Sequence, residues 1–224
     1  MRKLVNTENI VTTVDPSMST PDLRPTTAAL GALVHGTRDD QLADPTPCPD
    51  YTVADLVDHI GGLALAFTLS ARKETIPGGG NPSADGSRLE DGWRERIADQ
   101  LAELGEAWTD PAAYEGMTQA GPIEMPAENA ALVAVDEVTV HAWDLAVATE
   151  QSYAADPAAV AAAHGFVASF EPPEGGAADG PGLFGPPVEV ADDAAALDRL
   201  LAATGRDPRW SPPTDSAALR RHRP

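Results

Sequence analysis

The sequence predicts an all-α protein: a four-helix bundle followed by a small C-terminal α/β extension. Three observations carry that expectation. Alanine occurs 40 times in 224 residues and lysine only twice, at Lys3 and Lys73, a bias towards helix over strand. Four segments place apolar residues at spacings of 3, 4 and 7, the period of a helix with one buried face. Proline- and glycine-rich breakers separate those segments. A chain of this length hides roughly 70% of its unfolded surface on folding, enough for a dry core.

Residues 1–21 are polar and without period, so a disordered leader is expected, with Met18 as an alternative start to Met1. A first helix over 22–42 carries Leu23, Leu30, Leu33, Val34 and Leu42, and runs into the turn Asp44-Pro45-Thr46-Pro47-Cys48-Pro49-Asp50. Thr52 then reads as an N-cap, with Asp55 three residues on closing a capping box. The second helix shows Val53, Leu56, Val57, Ile60, Leu63 and Phe67 on one face and stops before Pro77-Gly78-Gly79-Gly80. A third helix is expected to open at Ser87, with Glu90 as its capping partner, and to bury Trp93, Ile97, Leu101, Leu104 and Trp108. Gly116, Gly121, Pro122 and Pro126 make 109–126 an extended connection. The fourth helix, 127–149, is about 35 Å long. Its middle, AALVAVDEVTVHAWDLAVA, is apolar nearly all round and so reads as a buried central helix. A fifth helix at 157–169, a Gly/Pro loop at 172–187, a strand-like PPVEV and a last helix at 192–204 complete the chain, with Gly205 as the C′ residue. The expected division is a leader to residue 21, the bundle over 22–150, the extension over 151–210 and a basic tail over 211–224.

The net charge is −20, from 35 acidic against 15 basic residues. The only basic cluster is Arg220, Arg221, His222 and Arg223; residues 206–224 carry +3, which leaves −23 on the rest. A nucleic-acid partner requires a basic footprint, and an anionic lipid surface would repel this body. No apolar run approaches about 18 residues, so no membrane span is expected. A single cysteine excludes an intramolecular disulfide framework and a multi-cysteine zinc cluster. With no apolar region after Arg2 and Lys3, a reducing, cytoplasmic location is expected.

Chemistry concentrates in the buried fourth helix. Glu137 and His141 stand four residues apart and therefore share a face. A carboxylate in the dry centre of a bundle is costly unless it is paired or binds a metal. The pair reads equally as a buried Glu–His hydrogen bond or as a two-ligand arm for a divalent metal such as zinc. His59, on the inward stripe of the second helix, is the candidate third ligand. Gly61 and Gly62 follow it, and mid-helix glycine needs a reason, such as close helix approach or room beside a metal. Two His and one Glu leave coordination positions open, as in a catalytic site. Asp144, one turn beyond His141, is either an orienting partner of its imidazole or a surface carboxylate. His35 and His164 lack acidic i±4 partners and read as structural. Cys48 before a helix start could be a low-pKa thiol, but with no flanking base it reads as structural or incidental.

Four segments occur in order: TPCPDYTVADLVDHIGG (46–62), DEVTVHAWDLAVAT (136–149), FGPPVEV (184–190) and ALDRLLAATGRDPRW (196–210). Together they make the chain similar to the actinobacterial DinB/YfiT-like metal-binding family related to mycothiol-dependent maleylpyruvate isomerase, over residues 23–210. The resemblance implies a DinB-like four-helix bundle in an up-down-down-up layout, and a divalent metal on His59, Glu137 and His141. It also implies thiol transfer or thiol-assisted isomerisation, with mycothiol as co-substrate and a small electrophile as partner. The isomerase itself needs a cationic C-terminal region for a dicarboxylate substrate, whereas residues 150–205 hold a single basic residue, Arg199. The acidic field attracts divalent cations and repels dicarboxylates, so the metal site carries over and the substrate does not. The rival class is a non-catalytic metal-binding or interaction scaffold. A monomer and a homodimer fit the sequence equally.

Overall fold

The structure, a computed structural model, describes residues 21–75, 84–121, 123–169 and 184–213. The expected leader with Met18, the Pro77–Gly80 breaker, most of the 172–187 loop and the Arg220–Arg223 cluster lie outside these residues.

Six helices and one hairpin are present among the described residues: α1 (Arg24–Gly36), α2 (Val53–Ala71), α3 (Trp93–Ala107), β1 (Met117–Ala120), β2 (Ile123–Pro126), α4 (Ala127–Ala148), α5 (Pro157–Ala168) and α6 (Ala196–Ala203). The first four helices close a ring in which α1 and α2 each pack against both α3 and α4. α5 covers the outer side of α4, and α6 covers α5. α4 is therefore walled in by three helices, which is why its sequence is apolar nearly all round. Leu132, Ala134, Val135, Val138, Ala142 and Leu145 are all buried.

α2 starts where the sequence says. Thr52 Oγ1 accepts the Asp55 N–H, and Asp55 Oδ2 accepts the Thr52 N–H at 3.0 Å. The same carboxylate, through Oδ1, accepts the Gly86 N–H at 2.8 Å and so ties the approach to α3 onto α2. These bonds, the Thr52 hydroxyl foremost, hold the Asp55 pKa below the ordinary carboxylate value. Asp55→Ala should therefore destabilise the protein by about 1 kcal/mol at pH 7. The contribution is present above the unfolded value of about 3.9 and disappears as pH falls through the depressed native value. Urea melts of both proteins at pH 7 and in acid would check this, because the difference should close only in acid.

Gly61 has its reason in α3: a Cβ there would lie 3.1 Å from Ile97 Cγ1. By length and composition α2 is apolar enough to cross a membrane, but its apolar face is spent on α3 and α4 inside the bundle. Trp93 and Trp108 are core residues, and the Trp108 indole N–H donates to the Phe67 carbonyl at 3.2 Å.

Several details differ from expectation. The first helix, expected over 22–42, ends at Gly36 and is followed by a separate 3₁₀ turn at Asp39–Gln41, and the last, expected over 192–204, begins only at Ala196. α3 opens at Trp93, not at Ser87. Asp85 takes both the Ser87 N–H and hydroxyl, at 3.1 and 2.6 Å, so Ser87 is spent in a short 3₁₀ turn and cannot cap with Glu90. Gly92, at φ +81°, then redirects the chain into the helix. The connection at 109–126 contains a 3₁₀ turn and an antiparallel hairpin pairing Thr118 with Met125, closed beside Gly121 at φ +61°. The strand expected at PPVEV is absent among the described residues; that stretch makes one backbone bond, from Val188 N–H to the Ala202 carbonyl. Pro186 and Pro187 offer no N–H, and among the described residues no neighbouring strand presents an edge to them. Among the described residues the strand pairing thus lies between α3 and α4 rather than in the C-terminal extension.

Candidate metal centre

α2 and α4 are neighbours, and both contribute residues to one pocket. His59 comes from the middle of α2, Glu137 and His141 from successive turns of α4. One nitrogen or carboxylate oxygen from each lies within 4.8 Å of the other two. The His141 Nε2 to Glu137 Oε2 distance is 3.0 Å, and the two imidazole centroids are 5.1 Å apart, edge to face. Tetrahedral zinc ligands lie about 3.3 Å from one another, close to the 3.0 Å between His141 and Glu137. Glu137 keeps 29% of its side chain exposed, towards the pocket, while His141 keeps 7%.

On its other side the His141 imidazole meets Asp144, with Nδ1 to Oδ2 at 3.0 Å. Asp144 is fully buried, so the surface reading does not hold: it orients the imidazole. The same oxygen accepts from the Arg206 guanidinium at 3.3 Å and from the Cys48 thiol at 3.4 Å. Arg206 Nη2 also lies 3.4 Å from Cys48 Sγ, and Nη1 donates to the Thr204 carbonyl at 3.0 Å. Cys48, His141 and Asp144 form a second set of atoms close enough to share a metal, on the opposite edge of the same imidazole. There Arg206 already supplies the positive charge.

Arg206 and Asp136 are not singled out by the sequence, and Cys48 reads there as structural or incidental; all three line this pocket. Cys48 is presented by a stiff turn. Thr46 Oγ1 accepts the Cys48 N–H at 3.2 Å, and Pro45 bridges to Thr52. Arg206 is aimed by Gly205, which ends α6 at φ +84° and crosses Gly185 so tightly that a Cβ would lie 2.8 Å from the Gly185 Cα. His35 lies exposed on α1 and His164 half-buried on α5, and neither lines the pocket.

The charges follow from this packing. Burial alone would lower the His141 pKa, but the bonds to Asp144, Cys48 and Glu137 reverse this and hold it well above the ordinary imidazole value. Burial would raise Glu137 and Asp144; the imidazole, with Arg206, keeps both lowered. Asp136 behaves in the opposite way. Its burial, reinforced by Glu137, pushes its pKa well above the carboxylate range. The pocket has a volume of about 440 Å³. Tyr51, Val140, Phe184 and Pro186 give it apolar walls, and Asp50, Asp136 and Arg206 add polar ones.

The family model for the mycothiol maleylpyruvate isomerase N-terminal domain matches residues 23–146, more than half of the chain. The chain belongs to this family. It is 30% identical over 195 residues to an uncharacterized protein of Mycobacterium tuberculosis, Rv0738 in strain H37Rv and MT0763 in strain CDC 1551. That similarity covers 81% of this chain and 93% of the relative. Among solved structures, the chain is similar to the mycothiol-dependent maleylpyruvate isomerase, with a TM-score of 0.51 at 19% identity, over 65% of this chain and 66% of the other. At that identity the likeness establishes the DinB-like bundle, not the activity. The family match ends at α4. Phe184–Pro186 and Thr204–Arg206, which complete the pocket, lie beyond it.

Proposed function

We propose that the protein is a metal-dependent enzyme of thiol chemistry, which joins a low-molecular-weight thiol such as mycothiol to a small electrophile or isomerises the electrophile through it. The convergence of two imidazoles and one carboxylate at the base of an open pocket carries this reading. His59, Glu137 and His141 would hold the ion, and the donor set of two nitrogens and one oxygen suits zinc. A bound divalent ion would lower the pKa of a thiol or water brought to it, supplying a nucleophile near neutral pH.

The chain's own residues set up that chemistry. Asp144 holds His141 through Nδ1, which leaves Nε2 turned towards Glu137 and the pocket. The His141 bond, with Arg206 behind it, holds the pKa of this orienting carboxylate below the ordinary value although it is fully buried. Tyr51 packs on the His59 ring with centroids 5.5 Å apart and limits its rotation. Cys48 faces Asp144 and Arg206, and needs no role as nucleophile. With Arg206 already engaged by Asp144, Cys48 and Thr204, the pocket offers no free guanidinium to a dicarboxylate among the described residues. A neutral electrophile fits it better.

The test begins with elemental analysis of the purified protein, for which about one equivalent of a divalent metal is expected. Consumption of mycothiol in the presence of generic electrophiles should follow, and should stop on chelation. Stoichiometric metal with no thiol turnover on any electrophile would instead favour a non-catalytic scaffold.

A further inference from the structure

α4 turns two neighbouring stripes towards the pocket. Glu137 and His141 form one. Asp136 and Val140, also four residues apart, form the other, a third of a turn away, and both line the pocket. Asp136 is only 5% exposed, and its Oδ1 has no hydrogen-bond partner among the described residues. The groups that act on it are Glu137, Arg206, His141 and Asp144. Two of these are acids, Arg206 is taken up by Asp144, Cys48 and Thr204, and His141 bonds Glu137 and Asp144. A buried carboxyl oxygen without a partner among the described residues calls for one from elsewhere, and an aliphatic side chain would serve packing better.

We propose that Asp136 is the hydrogen-bonding subsite for the thiol that occupies this pocket. It receives an amide N–H or hydroxyl of the thiol, while Val140 lies against the adjoining methylene carbons. This rests on the thiol reading above. Asp50 and Glu137 on the pocket walls make the surroundings of that subsite electronegative, which favours a donor over a second carboxylate. The thiol class is thus a polar, uncharged one that carries a donor a few bonds from its sulfur. Simple alkyl thiols lack that donor.

The test uses full-length protein loaded with cobalt, whose visible and near-ultraviolet spectrum reports a bound thiol without turnover. The probes are 3-mercaptopropionamide and its N,N-dimethyl derivative, equal in length but differing in N–H donors. Wild type should bind the primary amide about tenfold more tightly, the affinity equivalent of one modest hydrogen bond. Asp136→Asn, which keeps an acceptor, should hold that margin within about threefold. Asp136→Leu should erase it by weakening the primary amide alone, with cobalt stoichiometry unchanged. Equal affinity of wild type for the two amides overturns the assignment without any variant. A margin that survives Asp136→Leu, or a parallel loss for both probes, overturns it as well. A cobalt spectrum that neither thiol perturbs in wild type overturns the thiol reading, and this inference with it.

Discussion

His141→Ala should leave the protein without stoichiometric metal while its far-ultraviolet helical signal stays close to wild type. The imidazole stands at the crossing of two hydrogen bonds, to Glu137 at 3.0 Å and to Asp144 at 3.0 Å, and no neighbouring nitrogen can replace it. The fold survives because Asp144 retains Arg206 and the surrounding core of α4 is aliphatic. His59→Ala should behave in the same way, whereas His35→Ala, on the exposed side of α1, should keep full metal content. Asp144→Asn tests the orienting role separately. It preserves shape but removes the charge behind Nδ1, and changes of that kind typically weaken metal affinity about 10- to 100-fold. Elemental analysis after dialysis, with circular dichroism on the same samples, reads all four. Full occupancy in His59→Ala or His141→Ala would remove those residues from the site.

The second large effect concerns stability. Arg206→Met should destabilise the metal-free protein by about 3 kcal/mol, the usual scale for breaking a buried ion pair from one side. Asp144 keeps none of its side chain exposed and Arg206 only 17%, so water cannot take the place of the guanidinium. Asp144→Asn in the same background should recover much of the loss, because the uncompensated charge is then gone. Urea denaturation of the two single variants and the double variant isolates the coupling. A cost below about 1 kcal/mol for Arg206→Met would mean that His141 and Cys48 alone satisfy Asp144.

These two experiments divide the site along the line between what the sequence made legible and what it hid. Glu137 and His141 were readable because four residues on one helix fix a shared face without any knowledge of the partner elements. His59 was readable because its neighbours Leu56 and Leu63 mark the inward stripe of α2. The Thr52–Asp55 box was legible for the same local reason. The Ser87–Glu90 box obeyed the same rule and failed, because Asp85, two residues earlier, competes for the serine. Arg206 and Cys48 lie 158 residues apart, and each comes from a loop whose direction depends on tertiary packing. The hint for Arg206 was its position directly after Gly205, which ends a helix and must turn the chain back. For Cys48 the hint was a single thiol in the proline-rich segment that leads to His59. Asp136 was passed over beside Glu137, since its orphaned oxygen is visible only once α4 is surrounded.

The tight crossing of Gly185 and Gly205 has a consequence for how such a protein diversifies. The candidate ligands stand on α2 and α4, early in the chain and inside the stretch shared with the family, whereas the opposite wall of the pocket is carried by Phe184–Pro186 and Thr204–Arg206. That wall is joined to itself through two residues without side chains. A substitution at Phe184 or Pro186 can therefore reshape the mouth of the pocket without touching a single donor atom. A side chain at Gly205 would instead drive the two segments apart and carry Arg206 away from Asp144. Selection for a new small molecule has free play at one end of this wall and almost none at the other.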